Sequence, residues 1–159
     1  LLWIMVRNSR DAYYCLEEMD WLYDWDELLS EEDFRRMVVA DCVTLNSDRH
    51  FGNFGLLVES RTNEILQFAP LFDHGISLFS EAMDSDLKNL DEYFKKRNPP
   101  YNITWDSIVK YFLGPSQKSK LRKLIDFKFK RHSRYNLDKK RLKAIEEFIQ
   151  RRVEYLLNY

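Results

Sequence analysis

Asn46-Ser-Asp-Arg-His-Phe-Gly-Asn53 and Ala69-Pro-Leu-Phe-Asp-His-Gly75 are the two stretches on which the reading of this 159-residue chain turns. Between them lie two short β-favouring runs, Phe54-Gly-Leu-Leu-Val58 and Ile65-Leu-Gln-Phe-Ala69, separated by the polar residues Glu59 to Glu64, a pattern that reads as a hairpin. Upstream, Ser30 followed by Asp33 marks a helix start in the looser form of the capping signature. Phe34, Met37, Val38, Cys42 and Leu45 then recur at helical spacing and give one apolar stripe facing a core. The order is therefore helix, polar loop, hairpin, polar segment. A hairpin folds its ends together, so Asp73 is expected to return beside the loop that carries Asp48 and Asn53.

Three acceptors for a cation converge in that arrangement. Phosphoryl transfer needs such a set: a carboxylate to orient and deprotonate the attacking hydroxyl, and hard oxygen ligands for the Mg2+ ions that neutralise the phosphates. Asp48 and Asn53 are five positions apart. The base Asp and metal Asn of a protein-kinase catalytic loop have the same spacing, and a second metal Asp follows at a later strand end before a Gly. Each residue also has a plainer reading. Asp48 suits an Asx-turn, Asn53 a strand-entry turn beside Gly52 and Gly55, and Asp73 a turn whose carboxylate accepts the Gly75 amide. The combination of loop, hairpin and Asp-x-Gly is what outweighs them.

With its neighbours, the loop Asn-Ser-Asp-Arg-His-Phe-Gly-Asn-Phe-Gly, followed by Ala-Pro-Leu-Phe-Asp-His-Gly-Ile-Ser-Leu, resembles the catalytic and metal-binding segments of the HipA-like serine/threonine kinases, toxin components of bacterial toxin–antitoxin pairs. The Asp-Arg-His-x-x-Asn string is also similar to the catalytic loop of phosphatidylinositol kinases. The close match spans about Asp41 to Leu78. It implies Asp48 as the base toward a substrate hydroxyl, Asn53 as a ligand of one Mg2+, and Asp73 as the ligand joining metal to the phosphates of ATP. His50 is either a second acid–base or phosphate-contacting group or, as the family pattern implies, a scaffold that holds the loop against the metal Asp, and scaffolding weighs more. Arg49 is expected to pair with a nearby carboxylate. His74 stands where ordinary kinases have the Phe of Asp-Phe-Gly, so regulation through that Phe does not transfer. Gly75 to Asn102 takes the place of an activation segment.

The fold expected is mainly α with a small β-hairpin, a protein-kinase-like C-terminal lobe covering residues 1–159. Trp105 to Leu113, Ser116 to about Lys130 and Asp138 to Leu157 read as helices, with Thr104 as a cap and Lys88 to Asn102 as an irregular stretch. The four glycines, Gly52, Gly55, Gly75 and Gly114, form neither a glycine-rich phosphate loop nor a P-loop. Asp11 to Leu29 holds no Lys to pair with a helix Glu. The chain is therefore expected to be a piece of a longer kinase, its N-lobe supplied in cis or in trans, and to bind nucleotide weakly alone.

Composition bounds the alternatives. With 45% hydrophobic and 32% charged residues the chain is an ordinary folding domain, and it lacks a window of 18 apolar residues, so no membrane span is expected and a cytoplasmic location is. Cys15 and Cys42 make neither a zinc set nor a redox motif and are expected to be reduced and partly buried. The net charge of −1 conceals acidic Asp11 to Asp33 and basic Lys118 to Lys143, best read as a solvated helical face balanced within the molecule. The aromatics Tyr13, Tyr14, Trp21, Tyr23 and Trp25 are read as packing surface. Direct nucleic-acid binding is not expected. The partners implied are a protein substrate and an antitoxin-like protein. Two other readings stay open: a lipid or small-molecule kinase with the same loop, and a kinase-like module that binds a partner without transferring phosphate.

Overall fold

The computed structural model describes residues 2–4, 31–99 and 104–159; the readings made for Ser30, Cys15, the Tyr13–Trp25 aromatics and Asn102 lie outside them. Helix α1, Glu31–Thr44, follows the apolar stripe. Phe34, Met37, Val38, Cys42 and Leu45 are all buried, with Met37 and Cys42 inaccessible to solvent. A side chain of this size contributes about 1.5–3 kcal/mol when removed from water. The helix ends without a glycine. Leu45 takes the left-handed conformation (φ 55°), and the Asn46 amide donates back to the Asp41 carbonyl at 3.0 Å, the long bond of a Schellman motif. Burial of the Leu45 side chain in the core accompanies a backbone conformation that a leucine rarely adopts.

The chain then passes through a 3₁₀ turn, Phe51–Asn53, into the hairpin β2, Leu56–Val58, and β3, Ile65–Phe68. The hairpin is antiparallel, pairing Leu56 with Phe68 and Leu57 with Gln67, with a register shift at Val58. In the turn, the Glu59 carboxylate accepts the amides of Arg61 and Thr62. A third strand, β1 (Leu2–Ile4), pairs antiparallel with β2 and gives the order β1-β2-β3. The hairpin expected from the sequence is thus part of a three-stranded sheet. An apolar run of three residues carries no mark of which strand it will join.

Four more helices complete the described residues: α2, Leu90–Lys95; α3, Trp105–Phe112; α4, Pro115–Leu121; and α5, Lys139–Asn158. Thr104 caps α3 by accepting the Ser107 amide, and Asp138 caps α5 by accepting the Lys140 and Arg141 amides. Pro115 opens α4, where its missing N–H costs nothing. Helix α1 packs on α3, α4 and α5. Phe34 and Phe112 meet edge to face at 5.6 Å, and α5 contributes Ile145, Phe148, Ile149, Val153 and Leu156.

Two expectations are corrected. Lys88 to Asn102 is not wholly irregular, because Asn89 accepts the Glu92 amide and starts α2. The helix expected from Ser116 to Lys130 stops at Leu121, runs through a 3₁₀ turn at Arg122–Leu124 and becomes irregular. Tertiary partners draw the backbone away: the buried Glu146 carboxylate accepts the Phe129 amide, and the Gln150 amide donates to the Phe127 carbonyl. The basic segment is accordingly α-helical only at its ends, residues 118–121 and 139–143. Lys120 meets Glu32 of the acidic segment at 3.1 Å, while Lys128 and Arg131 surround Glu146.

Candidate functional site

The polar loop is built around a buried arginine. Arg49 is 2% exposed, and its guanidinium holds Asp41 in a bidentate pair, Nε to Oδ2 at 2.7 Å and Nη2 to Oδ1 at 2.8 Å. Its third nitrogen, Nη1, donates to the carbonyls of Asn53 at 2.7 Å and Phe72 at 3.0 Å. One side chain therefore ties together α1, the Asp48–Asn53 loop and the segment leading into Asp73. This is the return of the hairpin exit expected from the sequence, made through Arg49. The carboxylate partner expected for Arg49 is Asp41.

Asn46 extends the network. Its amide nitrogen donates to Asp41 Oδ1 at 3.1 Å, and its oxygen accepts the Asp48 amide at 3.2 Å, so the Schellman end of α1 fixes where Asp48 begins. Asn53 Nδ2 donates to the Asp48 carbonyl at 2.6 Å, and Asn53 Oδ1 accepts the His50 amide at 2.9 Å with a longer 3.4 Å contact to Arg49. Asn53 is thus a buried brace across the loop. The Asp48 side chain is half-buried, and among the described residues its carboxylate has no hydrogen-bond or ion-pair partner.

His50 is exposed and caps the 3₁₀ turn, with Nδ1 accepting the Gly52 amide at 3.0 Å. In the neutral ring the proton then sits on Nε2. This contact caps the loop's own turn and does not reach Asp73, against which the sequence expectation set it. Asp73 is exposed in the left-handed region (φ 56°), which Asp tolerates better than most residues. Its carboxylate also has no partner among the described residues, and the expected turn bond to the Gly75 amide is not formed. His74 lies beside the Arg49 guanidinium, Nη2 to Nδ1 at 3.4 Å.

The site thus presents two carboxylates, Asp48 and Asp73, unpaired among the described residues, on loops gripped by one buried cation. Among the described residues no group of three or more His, Cys, Asp or Glu side chains is placed to hold a metal ion. A cation here would draw on amide and ligand oxygens, as Mg2+ does at phosphate-transfer sites. The sequence reading missed Asp41 and Asn46. The signal was an acid within the buried stripe of an amphipathic helix, eight residues before the loop arginine.

No protein-family model matches the chain. Over 89 residues it is 44% identical to the serine/threonine-protein kinase CtkA of Helicobacter pylori, an alignment covering 54% of this chain and 26% of that protein. The crystal structure of an H. pylori proinflammatory kinase CtkA superposes with a TM-score of 0.55 and 20% identity, covering 80% of this chain and 55% of that one. The chain thus spans about a quarter of the curated relative's length. The arrangement of helices and sheet is a kinase-like fold, and the sequence is homologous to part of a protein kinase. No helix among the described residues is long and apolar enough to cross a membrane.

Proposed function

We propose that this chain is the helical, C-terminal catalytic lobe of a HipA-like serine/threonine protein kinase that transfers the γ-phosphate of ATP to a protein hydroxyl. One observation carries the reading. The Arg49 guanidinium fixes the Asp48 loop and the Asp73 segment together while, among the described residues, both carboxylates are without partners. A carboxylate spent in turn or ion-pair geometry would have a partner; these two are held available. Homology to the kinase CtkA supports the same conclusion.

In this reading Asp48 accepts the proton of the substrate hydroxyl as the hydroxyl oxygen attacks the γ-phosphorus and the bond to the β,γ-bridging oxygen breaks, so the proton ends on the carboxylate and ADP leaves. Asn53 holds the Asp48 backbone through its Nδ2, and its Oδ1, which accepts the His50 amide, is the oxygen that it would turn, with Asp73, toward Mg2+. Mg2+, when bound with ATP, supplies neutralisation of the phosphate charge. His50 acts as the cap of the loop. Arg49 acts as a positioning residue, since among the described residues it touches the site through Asp41, Asn53, Phe72 and His74, and not through the Asp48 or Asp73 carboxylate.

The test is Asp48→Asn in the complete protein, followed by transfer of labelled phosphate from ATP to protein. A positioned base contributes about 100-fold or more. The rate is expected to fall by at least that factor, while the melting temperature holds because the carboxylate has no partner to lose. Transfer at the wild-type rate would make Asp48 a turn residue and end the kinase reading.

A further inference from the structure

A cavity of about 600 Å³, with neither Asp48 nor Asp73 among its lining residues, lies between the segment that follows Gly75 and the residues leading into α5. Its floor is apolar: Phe79, Leu142 and Ile145, all buried in the core. Its edge is basic, with Lys130, Arg131, His132 and Arg141, and no Asp or Glu is among the described residues that line it. Arg131 is partly offset by Glu146 behind it at 3.2 Å, and Arg141 by the highly exposed Asp84 at 3.3 Å. Lys130 has no partner among the described residues. At the mouth stand two exposed apolar side chains, Tyr135 and Leu137, at 78% and 55%.

We propose that this cavity docks an anionic peptide segment of a partner protein, seating an apolar side chain on the Phe79–Ile145 floor and placing carboxylate or phosphoryl groups against Lys130 and Arg141. Charge complementarity calls for an anion, and the apolar floor for a ligand that is more than an ion. The volume lies within the roughly 300–1,000 Å³ range of pre-formed ligand sites, room for a few side chains. A nucleic-acid strand is held along a basic groove by aromatic faces that stack its bases. Here the Tyr135 ring is already stacked on His132 at 5.4 Å. A bilayer meets a broad face, whereas these charges surround a recess. Ser77, on the cavity wall, has a buried hydroxyl with no partner among the described residues, a group that native proteins seldom leave unmet. The site stands apart from phosphate transfer, although Arg141 also donates to the carbonyls of Phe79 and Ala82 and so joins it to the segment after Asp73.

The test is fluorescence anisotropy of the 159-residue chain with fluorescein-labelled hexapeptides. One alternates glutamate with leucine and phenylalanine, a second carries phosphoserine in place of glutamate, and a third carries lysine. The anionic peptides are expected to saturate and the lysine peptide not to. The ratio of the two anionic affinities identifies carboxylate or phosphoryl as the preferred source. Lys130→Glu and Leu137→Asp, both at exposed positions that leave the core intact, are each expected to weaken binding at least about tenfold, with Arg61→Glu on the hairpin turn as an unchanged charge control. The proposal is overturned if neither anionic peptide saturates, or if Arg61→Glu weakens binding as much as Lys130→Glu. It is equally overturned if an oligothymidylate or vesicles of a phosphorylated phosphatidylinositol bind more tightly than either peptide with the same Lys130 dependence.

Discussion

Removing the carboxylate that faces Arg49 probes the framework of the site directly. In Asp41→Ala the guanidinium keeps its 2% exposure but loses both charge-assisted bonds, at 2.7 and 2.8 Å, and Asn46 loses its 3.1 Å acceptor. Stranding one member of a buried ion pair costs about 3–5 kcal/mol, because the remaining charge cannot reach water. Against the 5–15 kcal/mol of a typical domain this is a large fraction. At about 2–4 °C per kcal/mol for a chain of this size, the melting temperature should drop by roughly 6–20 °C. Urea denaturation followed by circular dichroism measures the loss. The double variant Asp41→Leu/Arg49→Met should recover only part of it: an apolar pair of similar volume carries no desolvation penalty, but the Asn53 and Phe72 carbonyls lose their guanidinium donor. A single variant within about 1 kcal/mol of the wild type would show that Arg49 finds water or another partner, and the argument that this pair anchors the loop would fail.

Two other outcomes test the packing around α1. Glu32 accepts from the Ser116 hydroxyl, the Lys120 ammonium, the Gln117 amide and Arg36, which hold its carboxyl at about 2 against an ordinary 4.5, the Ser116 bond contributing most. Its folded value lies below its unfolded one, so this stabilisation is present above about pH 4.5 and is lost as pH falls toward 2. Glu32→Gln should flatten the pH dependence of the melting temperature in that window. The loss at neutral pH should stay within about 1 kcal/mol, as for other solvent-accessible pairs; an unchanged profile refutes the assignment. Burial raises the Cys42 thiol above its ordinary value, while the nearby Arg152 pulls it back, its Nη2 donating to Sγ at 3.1 Å. Cys42 should resist iodoacetamide in the folded protein and react on unfolding, read by mass spectrometry of its peptide; rapid labelling of the native chain would contradict its burial.

The helix–loop–hairpin order and the position of Asp73 were legible because each rests on local signals: the 3.6-residue stripe of α1, the β-favouring runs and the turn residues between them. What the sequence conceals is the choice of partner. Asp41 reads as one more polar residue until Arg49, eight positions on, is seen to be buried with it. The helix continuing past Leu121 was locally reasonable, and it yields to Glu146 and Gln150, acceptor and donor supplied from α5 some twenty residues later. Cys42, expected to be partly buried, is fully so, because it lies on the core face of α1 against Arg152 of α5. Asn53 was legible as a residue of the loop but not as its brace, since its two bonds depend on the fold of the turn it closes.

The bond from Arg49 to the Phe72 carbonyl sets how far the Asp73 segment can wander. Swinging that segment away leaves a buried guanidinium N–H without its acceptor, and a hydrogen bond to a charged group is worth about 1.5–3 kcal/mol. At room temperature this corresponds to a swung-out population between about 7% and under 1%. The segment behaves as a latch that is nearly always shut, and its minor state is within reach of relaxation-dispersion NMR on the amides of residues 72–75. Shortening the latch by Arg49→Lys, which cannot span Asp41, Asn53 and Phe72 at once, should raise that population before it unfolds the chain.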